Sequence, residues 1–230
     1  MKIKVFGQDK RGIEKLNKEL KKHFVISNKP DIVISYGGDG TFFLSERVFP
    51  GVPKLLVRHK GKCFKCSYYG LHSENKINDI LLNKRYKIIT LIKLEAITGK
   101  NKLVGVNDII IRNKNPNVAL RFSLKVDNKT FNEIIGDGIV IATPMGSTGY
   151  FNSITGKHFE NGIGIAFNNP IYKLNQIFTK DNAEIELKIL REEAVLAADN
   201  NKKIINLKEN DVVIIRKSKE TAKIIKVKDG

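Results

Sequence analysis

The chain has 230 residues, 41% hydrophobic and 28% charged, enough apolar material for one large domain or two small ones and too much for a disordered chain. Its formal net charge of +17 attracts polyanions, but the lysines are scattered over polar positions with no basic run interleaved with aromatics. The charge therefore reads as a lysine-rich solvated surface, with no specific nucleic acid expected. No apolar run approaches the roughly 20 residues that span a bilayer, and "MKIKVFGQDKRG" lacks the apolar stretch of a signal peptide, so no membrane partner and a cytoplasmic location are expected.

In chain order, "KIKVFG" (2–7) reads as a short buried strand. Residues 12–24 place Ile13, Leu16, Leu20 and Phe24 at helical spacing with lysines opposite. "DIVISYGG" is the next strand, 42–49 is helical and stops before Pro50, and 53–59 is a strand. Cys63 and Cys66 follow in "KCFKCS". A CxxC can be a redox pair or half a zinc site, but structural zinc wants four ligands and no second pair exists, although His59 and His72 flank this one. Two ordinary thiols in a reducing compartment are expected. Residues 73–85 are helical, with Ser73 as cap.

After residue 86 the grammar changes. "YKIITLIKLEAI", "KLVGVNDIIIRN", "VALRFSLKVDNKTFNEII", "GIVIATP", "AEIELKIL", "AVLAADN", "KIINLKENDVVIIRKS" and "AKIIKVK" are strand-like, with turn signals such as "TGKN" and "VDNK" between them. The expected fold is an α/β N-terminal domain with a Rossmann-like parallel sheet over 1–86, then a larger β-rich, sandwich-like domain over 87–230. The last strand is a candidate to return to the first domain.

Two loops carry chemistry. "YGGDGT" (36–41) sits at the carboxyl end of a parallel strand, where ligands bind. Its glycines can bring backbone N–H groups close to phosphate. The loop is neither GxxxxGK[ST] nor GxGxxG, and it adds a carboxylate, Asp39. A carboxylate beside phosphates is tolerable if it binds Mg²⁺ or takes a proton, which suggests a kinase acting on a hydroxyl. The alternative is a tight glycine turn with an exposed Asp. The second loop, in "IIGDGIVIATPMGSTGYFNS" (134–153), offers Thr143, Ser147, Thr148 and Tyr150, groups that suit ribose and phosphate oxygens.

Together these segments resemble the NAD kinase family, which pairs a GGDGT loop with a later DG…TPTGSTAY segment. This chain has "GGDGT" at 37–41 and "DGIVIATPMGSTGY" at 137–150, with Met145 and Gly149 where the family has Thr and Ala. The family's Asn-Glu pair matches Asn107 and Asp108, and "AVLAADNN" (194–201) resembles its late strand-turn. The glycine-rich stretch after the family's second α/β strand is replaced by "LLVRHKGKCFKCSYYG", which adds Arg58, His59 and Lys60.

The resemblance implies an enzyme transferring a phosphoryl group from ATP, or another donor, to the 2′-hydroxyl of the adenosine ribose of NAD. Mg²⁺ would enter with ATP, no protein metal site is expected, and a homodimer or homotetramer is. Asp39 would be the base, with Gly37, Gly38, Gly40 and Thr41 cradling phosphates. Asn107 and Asp108 would hold the adenosine or nicotinamide end, and Asp137 the nicotinamide amide or a ribose. Thr148, Gly149, Tyr150 and Ser153 would line the substrate, with Asn201 as a further contact. The alternatives are a GGDGT-type lipid or sugar kinase, or a basic nucleotide-binding protein without catalysis.

Overall fold

In the computed structural model, which describes residues 1–228, the chain forms two compact units. The first comprises 1–91 and the segment from Thr221 onward; the second comprises 92–220.

The first unit is a parallel sheet covered by helices. Strands β1 (Lys2–Gly7), β2 (Val25–Ile26), β3 (Ile32–Tyr36) and β4 (Lys54–Val57) run in the order β2-β1-β3-β4. The register pairs Ile3 with Ile32 and Tyr36 with Val57. Every residue of β3 and β4 is buried, as expected of strands covered on both faces. Helix α1 (Lys10–Leu20) starts at Asp9, whose carboxylate accepts the Gly12 N–H at 3.2 Å, and lays Leu16 and Leu20 on the sheet. Its last turn stops short of Phe24, which reaches the core from the following loop.

Helix α2 (Asp39–Val48) begins three residues before the expected start, so Asp39 is its first residue. At its far end, buried Glu46 is paired with buried Lys54 and accepts the Gly51 N–H at 2.9 Å, which fixes the turn into β4. Helix α3 (Phe64–Tyr69) has no counterpart in the sequence reading. The helix expected over 73–85 is shorter: a 3-10 turn at Glu74–Lys76, capped by Ser73, leads into α4 (Ile77–Leu82).

The second unit packs two antiparallel sheets on one core. Its strands are β5 (Tyr86–Thr98), β6 (Asn101–Gly105), β7 (Asp108–Asn113), β8 (Leu120–Val126), β9 (Lys129–Gly136), β10 (Gly138–Ala142), β11 (Ile163–Asn168), β12 (Ile177–Thr179), β13 (Ile185–Arg191), β14 (Ala194–Ala198), β15 (Ile205–Leu207) and β16 (Val212–Val227). One sheet has the order β12-β11-β10-β7-β14-β15; the other places β16, β13, β8 and β9 side by side, with β5 on β16 and β6 on β5. The "TGKN" and "VDNK" turns are two-residue hairpins, with Gly99 at φ 53° and Asp127 at φ 51°. Ile109, Ile111, Ile139, Ile141 and Ile165 from one sheet meet Phe122, Leu124, Leu187 and Ile215 from the other in a single buried cluster.

The outer face of β10 is also covered. Val140 and Ala142 pack with Ala166 and with Phe151 of α5 (Tyr150–Thr155). Two strands were expected where β16 is one continuous strand of 16 residues. Its start pairs with β13 at Ile215–Ile185, and its end, in the first unit, pairs in parallel with β4 at Ile224–Lys54. Among the described residues no helix is long and apolar enough to cross a membrane.

One buried carboxylate of the second unit sets an acid-stability limb. Glu95 is bonded by Arg216 Nε at 2.9 Å and Lys102 Nζ at 2.7 Å. Burial pushes its carboxyl up, but Lys102 and Arg216 outweigh that and hold it below its ordinary 4.5. A lowered native pKa stabilises above the unfolded value and is lost as pH falls through the native one. Glu95→Gln is therefore expected to cost on the order of 2 kcal/mol at pH 7. Urea midpoints should show its penalty shrinking below pH 4.5.

Candidate functional site

The first unit places the GGDGT loop at the carboxyl end of β3. Gly37 N–H closes on Val57 O at 2.9 Å, Gly38 is the cap of α2, and the Gly38 carbonyl accepts the Thr41 N–H at 3.0 Å. A Cβ at Gly37 would overlap the Thr41 side chain, so the turn depends on glycine there. Gly40 is exposed, while Gly38, Asp39 and Thr41 are partly so. Asp39 Oδ1 accepts the Lys65 N–H at 2.9 Å and lies 3.4 Å from Cys63 Sγ; Oδ2 is left to accept another donor.

The cysteines are not free thiols. Cys63 and Cys66 form a disulfide, with Cα atoms 5.3 Å apart, which corrects the expectation of two ordinary thiols. The physical reason is local: α3 starts at Phe64, and its first turn brings the side chains of Cys63 and Cys66 together. Nor do Arg58, His59 and Lys60 form a free cationic patch. Arg58 Nε donates to Gly61 O at 2.8 Å, His59 Nε2 meets Asp9 Oδ2 at 2.6 Å, and Lys60 Nζ lies 3.7 Å from the same oxygen. The Gly12 N–H first, then His59, hold the Asp9 carboxyl below its usual range. The His59 ring stacks on Tyr36 at 4.3 Å, and the Tyr36 hydroxyl donates to Glu74. Burial first, and then Glu74, push the Tyr36 phenol up.

The second unit gathers a different cluster at the end of β7. Asp199 Oδ1 accepts the N–H of Asn107 at 2.7 Å and of Asp108 at 3.2 Å, and Oδ2 accepts that of Val106 at 3.0 Å. Asp199 N–H returns a bond to Asp108 O at 3.1 Å. Asp199 itself has φ 47°, a left-handed conformation that Asp tolerates better than most residues. The Asn107 carbonyl in turn accepts Thr143 N–H at 3.0 Å, and Thr143 Oγ1 donates to Val106 O at 2.6 Å. Gly146 lies against that Asn107 carbonyl so closely that any Cβ would overlap it, and Gly149 packs beside Asn107 Nδ2. Asn107 Nδ2 donates to Asp108 Oδ2 at 2.8 Å, while its Oδ1 is buried without a partner.

Asn107, Asp108 and Gly149 are thus brought together, and Thr148 follows on the exposed side of the same turn. Tyr150 packs on the β10 cluster, and the Ser153 hydroxyl is spent on Tyr150 O at 2.7 Å. Asp137 is not part of this group. It precedes β10 while Thr143 follows it, a separation of about 20 Å along the strand, and its carboxylate accepts from Asn169 Nδ2 at 3.3 Å. Asn201 is a turn residue whose Oδ1 accepts the Lys203 N–H at 3.1 Å. The residue missed is Asp199, two positions earlier in the same segment. Its signal was an acid at a strand end followed by two asparagines, a combination that favours a left-handed turn. Among the described residues no group of three or more His, Cys, Asp or Glu is placed to hold a metal ion.

A family model for the ATP-NAD kinase C-terminal domain matches residues 106–227. The chain is 28% identical over 225 residues to the bifunctional NADP phosphatase/NAD kinase of Methanococcus maripaludis, covering 91% of this chain but only 39% of that protein. It is 31% identical over 216 residues to the NAD kinase of Ruminiclostridium cellulolyticum, covering 88% of this chain and 75% of that one. The fold is shared with yeast NADH kinase complexed with NADH, at TM-score 0.83 and 14% identity, over 98% of this chain and 83% of that one. It is also shared with an Archaeoglobus fulgidus NAD kinase in complex with ATP, at TM-score 0.77 and 18% identity, over 99% and 94%. With more than half of its length matched by the family model and a relative above 30% identity covered for three quarters, the chain belongs to the NAD kinase family.

Proposed function

We propose that this chain is an NAD kinase that transfers the terminal phosphoryl group of ATP to the 2′-hydroxyl of the adenosine ribose of NAD, giving NADP. The observation that carries the chemistry is Asp39, a carboxylate with one oxygen fixed by the Lys65 N–H and the other available. Fixing one oxygen orients the second without rotational search. That second oxygen accepts the hydroxyl proton as the phosphoryl group arrives. The loop of Gly37, Gly38, Gly40 and Thr41 offers phosphate the positive end of α2, and the bonds from Gly37 N–H to Val57 O and from Thr41 N–H to Gly38 O hold that loop in shape. ATP brings its Mg²⁺ as part of the substrate, which offsets the repulsion between Asp39 and the phosphates.

Asn107 and Asp108 read the dinucleotide. A buried carbonyl oxygen without a partner costs about 1–3 kcal/mol, and Asn107 Oδ1 is one. The exocyclic amine of adenine, or the nicotinamide amide, supplies the missing donor. Thr148 and Gly149 border the same spot, whereas the Ser153 hydroxyl, Asp137 Oδ2 and Asn201 Oδ1 are each bonded to a different group. A cytoplasmic location and a homodimer or homotetramer complete the proposal on the strength of the family resemblance.

The test is turnover of NAD, ATP and Mg²⁺, with product detected by an NADP-specific dehydrogenase. Asp39→Asn should lower kcat by at least about a hundredfold while the protein stays folded. Retained turnover in Asp39→Asn would remove it as the base. Asp199→Ala removes the acceptor of three N–H groups. Its KM for NAD is expected to rise at least about tenfold, with on the order of 2 kcal/mol of stability lost. An unchanged KM would show that the Asn107–Asp108 corner does not bind the dinucleotide.

A further inference from the structure

The Cys63–Cys66 disulfide has no part in the reaction as proposed, yet it touches the residue on which that reaction turns. Residues 58–71 leave the sheet after β4 and come back to it. Arg58 N–H bonds Leu71 O at 2.8 Å, and Leu71 N–H bonds Leu56 O at 2.8 Å, so the segment is a loop closed at its neck. The disulfide closes a second, smaller ring inside it, from Cys63 to Cys66. Lys65 lies inside that ring, and its N–H is the donor that fixes Asp39 Oδ1 at 2.9 Å. Cys63 Sγ packs 3.4 Å from the same oxygen, and both sulfurs are buried.

We infer that the Cys63–Cys66 disulfide is a positioning element for Asp39, so that phosphoryl transfer depends on the oxidation state of this pair. The inference rests on Asp39 being the base proposed above. With the bridge closed, neither sulfur carries a proton. The carboxylate oxygen then receives the Lys65 N–H from a ring whose geometry is fixed. A dithiol reductant opens the bridge by exchange: two electrons and two protons pass to the pair, two thiols form, and the reductant leaves as its own disulfide. Two things follow at Asp39. The Lys65 N–H loses the covalent ring that aimed it, and Cys63 gains an S–H that donates to Oδ1 and competes with the substrate hydroxyl for the charge of the carboxylate. Both weaken the base. Neither touches Asn107, Asp108 or Asp199, so dinucleotide binding is spared.

The experiment compares the intact protein in two forms, air-oxidised and reduced with dithiothreitol. Thiols counted after unfolding should be none and two. Reduction should lower kcat by about tenfold, a part of what general-base catalysis supplies, with KM for NAD and ATP changed less than about twofold. Activity should follow a dithiol–disulfide redox titration with a single midpoint. The Cys63→Ser/Cys66→Ser protein should be insensitive to dithiothreitol and as slow as the reduced enzyme. Amide hydrogen exchange at Lys65 gives a readout that needs no turnover: protection should fall on reduction. Equal kcat in both forms, or unchanged Lys65 protection, would overturn the inference while leaving the kinase intact. Absence of turnover in both forms, with the protein folded, would strike the kinase reading instead, and Lys65 exchange would still decide whether the bridge anchors Asp39.

Discussion

The carboxylate of Asp199, accepting three consecutive backbone N–H groups, is the interaction on which the second unit's Asn107–Thr143 corner depends. Where β6 gives way to β7 the chain must turn, and its N–H groups lose ladder partners. Left unpaired, each would carry a penalty comparable to a lost hydrogen bond. One charged acceptor from the end of β14 satisfies them together, and its own N–H returns to Asp108 O. The two strand ends are thereby locked in the register that also pairs Ala198 with Ile109. Once the Asn107 carbonyl is fixed, Thr143 can bind it and Gly146 can lie against it. The "ND" and "TPMGST" segments are 36 residues apart in sequence from Asn107 to Thr143, yet they form one object because of these contacts.

The first unit solves a different problem, presenting a carboxylate and a glycine turn at the start of a helix on a rigid base. The sheet and α1 supply an apolar core, and the buried Glu46–Lys54 pair ties the far end of α2 to β4. Such a pair is weak as a net source of stability, but breaking it is costly, which makes it a fixed point. The near end of α2 is set by the glycine turn and by Lys65. Asp39 is therefore held from both the helix and the neighbouring loop.

Much of this was legible in the sequence, and the rest was hidden for identifiable reasons. Ile32, Val33, Ile34 and Tyr36 running into Gly37 and Gly38 mark a covered strand that ends in a glycine loop, and the alternation after residue 86 marks antiparallel sheets. Helix α3 was missed because six residues are too few to show a period, and two of its aromatics, Phe64 and Tyr68, point to solvent. The disulfide was missed because spacing alone does not distinguish a bridge from two thiols. Asn201 was expected from the resemblance of the "AVLAADNN" segment, whereas in the structure it is Asp199 of that segment that meets the backbone donors. Asp137 shows the converse: adjacency in a motif put it with Thr148, and the length of β10 keeps it away.

The proposed reaction places a phosphoryl group on one particular hydroxyl of NAD. The most direct measurement is phosphorus NMR of the product formed from NAD and Mg-ATP by the purified protein. One new phosphomonoester resonance is expected, coinciding with that of authentic NADP and matched by an equal yield of ADP. Phosphate on a different hydroxyl, or ADP and free phosphate with NAD unchanged, would contradict it.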